Sequence, residues 1–155
     1  MGAEGVSFGF LDGDLTVDVE VCEHLVDALG AVPWTFHRAV DASLETGLAW
    51  RRLRSLRGLD AVLSAGSVRG LDSGFDELTE RAASDPDVAR LLMAGGGLRG
   101  EHVPWLVRAG VRQFHVGSSA RPAGSWKAHV EAGHVRTWRM LLDDASDLAA
   151  GRPAG

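Results

Sequence analysis

Five short apolar runs, each rich in β-branched or aromatic residues, recur at Val6–Leu11, Trp34–Val40, Asp60–Gly66, Arg90–Gly97 and Gln113–Ala120. Their starts lie 23 to 30 residues apart, about the length of one strand-helix unit. Between them the apolar positions follow a helical period: Cys22, Leu25, Val26 and Leu29 fall at i, i+3, i+4 and i+7, and Phe75, Leu78 and Ala82 at i, i+3 and i+7. Such stripes need a sheet to cover. Asp18, Ser43 and Ser73 are the expected N-caps, and Gly30, Gly58 and Gly110 stand where helices should stop. A last helix is predicted over Trp126–Asp147, with Val130, His134, Trp138, Leu141 and Leu142 on one face and Gly133 interrupting it. The Arg121–Gly124 stretch is the one Pro/Gly break of note. The expectation is one domain over residues 1–148 and a frayed tail at Ala149–Gly155.

Strand-helix alternation implies a parallel sheet, either doubly wound or closed as a barrel. No GxGxxG follows the first run. The glycine signals come late, in Gly95-Gly96-Gly97 and Gly117-Ser118-Ser119, and barrels that hold phosphate do so in the loops after their last two strands. The fold class expected is therefore α/β, a parallel (β/α) TIM-barrel-like sheet, incomplete, holding the last five of eight units. The chain enters its first strand within five residues, which leads to the expectation that further units precede it.

Composition narrows the partners. Sixteen Lys and Arg against 21 Asp and Glu give a net charge of −5, so no basic field invites nucleic acid or anionic lipid. No run of about 18 apolar residues offers a membrane span. Cys22 is the only cysteine, which excludes an internal disulfide and any CxxC site and points to a reducing cytoplasm. The arginine run Arg51, Arg52, Arg54 and Arg57 reads as a solvated helix face. Cys22 reads as core, and His24, His102, His129 and His134 as helical residues without a role.

Functional groups of parallel α/β folds gather at the carboxyl ends of strands. His37, Arg38 and Asp41 stand at such an end. If Trp34 and Phe36 face the helices, Thr35 and His37 face the barrel interior. The same alternation puts His115 on the inner side of the last strand, leading into Ser118 and Ser119. The catalytic candidates are thus His37, Arg38, Asp41 and His115, imidazole serving as acid, base or ligand and guanidinium as a seat for carboxylate or phosphate. Gly95, Gly96 and Gly97, with Arg99, Ser118 and Ser119, are the candidates for holding an anion or cofactor, because backbone N–H groups freed by glycine turns bind anions. Each glycine can instead serve an ordinary turn. Ser64 and Ser67 flank Gly66 as weaker candidates.

Val6-Ser7-Phe8-Gly9-Phe10-Leu11, Thr35-Phe36-His37-Arg38-Ala39 with Asp41, Val62-Leu63-Ser64-Ala65-Gly66, Met93-Ala94-Gly95-Gly96-Gly97-Leu98-Arg99 and Phe114-His115-Val116-Gly117-Ser118-Ser119-Ala120 resemble, in order and spacing, the CutC copper homeostasis family. The resemblance runs from about Gly5 to Arg121. It implies a TIM-like barrel that is cytoplasmic, handles or binds copper, and is entered here at its fourth strand. The family's cysteines, acidic residue and arginine-rich strand end in the first three strands have no counterpart, and Cys22 does not match those cysteines. Since Cu(I) prefers soft thiolate or thioether ligands, no metal ligand is assigned.

Three functions follow. The first is a CutC-like protein of copper homeostasis that binds copper ion. The second is a barrel enzyme acting on a small anionic or phosphorylated substrate, with His37 as acid/base and Gly96, Gly97 and Ser118 holding the anion. The third is a truncated fragment without function. An open parallel sheet with two bare edges is also expected to aggregate, or to associate as a homo-oligomer that covers its open side.

Overall fold

The computed structural model describes residues 2–152. Its strands are β1 (Val6–Phe8), β2 (Trp34–Phe36), β3 (Leu59–Ser64), β4 (Leu92–Ala94) and β5 (Gln113–Phe114). They lie in sequence order in one sheet, every neighbouring pair parallel, with Phe8 opposite Phe36, Phe36 opposite Val62, Ser64 opposite Ala94 and Ala94 opposite Phe114. The helices are α1 (Val19–Leu29), α2 (Thr46–Arg54), α3 (Leu71–Ser84), α4 (Pro86–Leu91), α5 (Val103–Arg108) and α6 (Ala132–Ala149). Parallel strands require such crossovers, and the crossovers cover one face of the sheet. β1 and β5 remain as two edges.

The covered face holds the core. Trp34 and Phe36 are buried with Trp50 and Leu53 of α2, while Phe8 stacks on Trp34 at 4.3 Å between ring centroids. Each large apolar side chain so buried contributes about 1.5–3 kcal/mol relative to exposure. The expected alternation holds, since Thr35 is half-buried and His37 exposed on the opposite face. Cys22 is fully buried on the apolar stripe of α1, also as expected.

Several boundaries differ from expectation. The strands stop two to six residues early because their carboxyl ends fold into tight turns. His37, for example, caps a 3-10 turn over Arg38–Ala42. Arg90 and Leu91 belong to α4, announced by Asp85 as its cap and Pro86 in its first turn. Asp18 caps α1 as expected, its carboxylate accepting from Val21 N, but neither Ser43 nor Ser73 is an N-cap. Ser43 Oγ donates to Val40 O at 2.7 Å and ends the 3-10 turn, and Ser73 lies inside α3. Gly30, Gly58 and Gly110 all take positive φ, as helix stops do. The last helix begins at Ala132, so Gly133 falls in its first turn and His129 lies outside it. Ala149 still belongs to α6, Arg152 N donates to Asp147 O at 2.9 Å, and the rest of the expected tail, residues 153–155, lies outside the described residues. The arginine run is largely exposed, as expected of a solvated face, and its members are paired there: Arg52 donates to Val17 O at 3.0 Å, Arg54 to Asp85 at 2.7 Å, and Arg57 pairs with Asp27.

The β1–α1 loop is organised by Asp12, whose carboxylate accepts from Thr16 Oγ1 at 2.7 Å, Thr16 N at 2.9 Å and Asp14 N at 3.0 Å. The Thr16 hydroxyl and amide hold this carboxyl below its ordinary value of 3.8. A depressed folded-state pKa contributes stability that is present above 3.8 and lost as the pH falls through the lower folded value. Unfolding titrations should therefore show Asp12→Asn less stable than the parent at pH 6, with the difference shrinking below 3.8. A difference constant down to pH 2 would refute the assignment.

Candidate functional site

The carboxyl ends of β2 and β3 are tied together by one guanidinium, which also abuts the end of β4. Arg38 Nε donates to Asp41 Oδ2 at 2.8 Å and Arg38 Nη2 to Ser67 O at 2.8 Å. Asp41 Oδ1 accepts from Ser64 Oγ at 2.6 Å, and both carboxylate oxygens take the amide of Ala65 at 3.1 to 3.2 Å. The Asp41 side chain is 1% exposed. A buried carboxylate is stable only when paired and hydrogen-bonded, and every oxygen of Asp41 is so engaged. Its position is that of a brace for Arg38, with no oxygen left for a substrate.

Arg38 in turn abuts Gly96. A Cβ at Gly96 would lie 2.9 Å from the Arg38 guanidinium, and its φ of +81° disfavours any other residue. Gly97 follows with φ +98°. Gly95 is excluded from bearing a side chain for another reason, since a Cβ there would lie 2.7 Å from Leu63 Cδ1 and 2.9 Å from His115 Cβ. Gly95 and Gly96 thus let β5 and Arg38 approach the end of β4 from both sides.

Across β4 the loop after β5 closes the space. His115 N donates to Ala94 O at 2.8 Å, which fixes the strand end, and Ser118–Ala120 forms a 3-10 turn. Gly96, Gly97, Leu98, His115, Gly117, Ser118, Ser119 and Trp126 line a cavity of about 100 Å³. The backbone N–H groups of Gly96, Gly97 and Gly117 find no acceptor among the described residues. An imidazole, two hydroxyls and unpaired amides around so small a volume form a cradle suited to one oxyanion.

Of the residues expected at the site, Gly96, Gly97, His115, Ser118 and Ser119 come together here, with Gly95 behind them and Arg38 against Gly96. His37 does not line the cavity. Its strand lies three spacings from β5, about 14 Å along the sheet, and its Nδ1 accepts from Ala39 N at 3.1 Å, leaving Nε2 as its free nitrogen. Arg99 is not brought in either. Its guanidinium is held by Glu101 and Asp72 on the helical side, and these carboxylates push its pKa further up. Ser64 is buried against Asp41, while Ser67 offers its carbonyl to Arg38. Trp126 is the cavity residue the sequence did not single out. Its signal is Gly117, where a Cβ would meet the indole Cη2 at 3.1 Å. His102, given no role, is buried with Nε2 3.2 Å from Asp72 Oδ1 and Nδ1 accepting from Arg99 N. A larger groove of about 580 Å³ runs between α2 and α3, but its Arg54 and Arg81 pair with Asp85 and Glu77.

Residues 1–120 match the model of the CutC family. A CutC family protein of Klebsiella pneumoniae subsp. pneumoniae is 33% identical over 127 residues, which cover 81% of this chain and 48% of that protein. One from Yersinia pestis (strain Pestoides F) is 29% identical over 133 residues, 86% of this chain and 52% of the relative. The chain spans about half the length of these curated relatives. Among solved structures, a CutC protein of Streptococcus agalactiae named for copper homeostasis superposes with a TM-score of 0.59 at 23% identity, over 73% of this chain and 55% of that one. That likeness agrees with a five-stranded parallel sheet of TIM-barrel type. With the family model matched over three quarters of its length, the chain belongs to the CutC family.

Proposed function

We propose that this chain serves copper homeostasis, the role for which its structural relative is named, and that its own residues contribute a seat for a small anion at the barrel mouth. The observation that carries the second part is the convergence of the β4 and β5 loops on one cavity with unpaired amides, two serines and His115. In this seat Ser118, Ser119 and the Gly96–Gly97 amides bind the oxyanion, His115 donates to it, and Arg38, braced by Asp41, sets the position of Gly96. A reaction on the bound anion would draw on His115 as the nearest proton donor, with His37 Nε2 serving a part of the substrate outside the cavity. A cytoplasmic location and association through the open sheet face belong to the same reading.

Copper binding is the finer claim that the family name brings, and the donor set here does not fit it. No group of three His, Cys, Asp or Glu side chains gathers among the described residues. Cys22 is sealed in the core, where burial pushes its thiol up and away from the thiolate that copper prefers. No helix among the described residues is long and apolar enough to cross a membrane. A copper site of three such ligands would need donors besides the described residues.

One calorimetric experiment with two titrants tests both parts. Inorganic phosphate is expected to bind saturably, and His115→Ala or Ser118→Ala to weaken it about tenfold or more, the weight of a hydrogen bond to a charged group. Cu(I), buffered by a competing chelator, is expected to bind no tighter than about micromolar. Phosphate affinity indifferent to both variants would overturn the anion seat, and tight stoichiometric Cu(I) binding would restore the metal.

A further inference from the structure

The cradle is too small for a whole metabolite. At about 100 Å³ it falls well short of the 300–1,000 Å³ of sites that enclose small molecules, so it admits one functional group and leaves the remainder of the ligand outside. What lies at the rim is Trp126, 71% exposed and yet fixed in place. Its ring edge rests over Gly117, and the Arg121 guanidinium lies 5.2 Å from its centroid. Arg121 is itself anchored by donating to Ala128 O. A large indole left exposed while a cation and a glycine contact hold it still is ordered before any ligand arrives, and its uncovered surface is a stacking platform.

Resting on the reading of the cradle as an anion seat, we propose that the anion is the phosphate of a nucleoside monophosphate and that Trp126 selects it by stacking on the nucleobase. The phosphate occupies the Gly96–Ser118 cavity, the ribose crosses the rim, and the base lies on the indole with Arg121 beyond it. Base-on-aromatic stacking improves affinity by about 5- to 150-fold. A pentose phosphate has no flat π surface with which to gain it, and a bare nucleoside lacks the group that fills the cavity.

The test is a calorimetric titration of the full chain with AMP, ribose 5-phosphate, adenosine and inorganic phosphate, with tryptophan emission of the parent followed in parallel. AMP is expected to quench tryptophan emission and to bind at least fivefold more tightly than ribose 5-phosphate or inorganic phosphate. Trp126→Ala should abolish the preference, bringing AMP and ribose 5-phosphate to equal affinity, and Trp126→Phe should keep most of it. The side chain is exposed, so an unchanged melting temperature verifies that the variants fold. Equal affinity for AMP and ribose 5-phosphate would overturn the nucleobase assignment and leave the anion seat standing. An AMP preference that survives Trp126→Ala would overturn the role of Trp126. Failure of every phosphate-bearing probe to bind at millimolar concentration would overturn the seat itself, and this inference with it.

Discussion

Asp41→Ala is expected to destabilise the fold by about 3 kcal/mol and to weaken anion binding together with it. Removing one partner of a buried ion pair costs about 3–5 kcal/mol, because the remaining charge and its hydrogen-bonding neighbours stay behind unpaired. The lower end applies here because Arg38 is 35% exposed and can regain water. The deletion orphans Arg38 Nε, Ser64 Oγ and the Ala65 amide at once. Asp41→Asn discriminates further. Its single carbonyl oxygen can accept from Arg38 or from the Ser64 and Ala65 side, while its NH2 then meets the donors on the other, so about half the loss should remain. Urea denaturation reads the stability and phosphate calorimetry the site. An Asp41→Ala protein as stable as its parent would show that the carboxylate is not the brace described. A destabilised protein with unaltered phosphate affinity would show that the brace does not reach the cradle.

The parts of this arrangement that were legible in the sequence share a short physical range. Strand-helix alternation, the burial of Trp34 and Phe36 and the grouping of His115 with Ser118 and Gly96 follow from periodicity and from where parallel strands end. Asp41 illustrates the limit. A carboxylate at a strand end reads as chemistry, and only the position of Ser64 and Ala65, more than twenty residues on, turns it inward as a structural acceptor. Arg99 fails similarly, because its partners Asp72 and Glu101 draw it to the helical side. His37 sits at the expected strand end, but the spacing of β2 from β5 is a property of the sheet and not of any local segment. Trp126 was hidden by the opposite error. The apolar periodicity of α6 extends backward through it, although the helix begins only at Ala132.

Gly74→Ala should destabilise the protein by about 3 kcal/mol or more, against the direction that helix propensity dictates. Gly74 lies in the first half of α3, where alanine is intrinsically better by about 1 kcal/mol. The Cβ that alanine adds would lie 2.3 Å from Ala65 O, 2.4 Å from Gly66 C and 2.6 Å from Ser67 N. All three are backbone atoms, with no side chain to swing aside. The approach is reciprocal, since a Cβ on Gly66, at φ +71°, would lie 2.4 Å from Gly74 O. Relief requires α3 to lift from the end of β3, which unpacks Leu71 and Leu78 from the core and moves Ser67, whose carbonyl holds Arg38. A loss of this size is a large part of the 5–15 kcal/mol that holds an ordinary domain folded. Gly133→Ala in α6 is the control: its Cβ would meet nothing nearer than Glu131 Oε1 at 3.8 Å, so propensity alone should raise stability by up to about 1 kcal/mol. Parallel urea titrations of the two variants should therefore shift in opposite directions. Stabilisation by both would mean that α3 and the β3 loop are not in backbone contact, and the link from helix packing through Ser67 and Arg38 to the anion seat would fail with it.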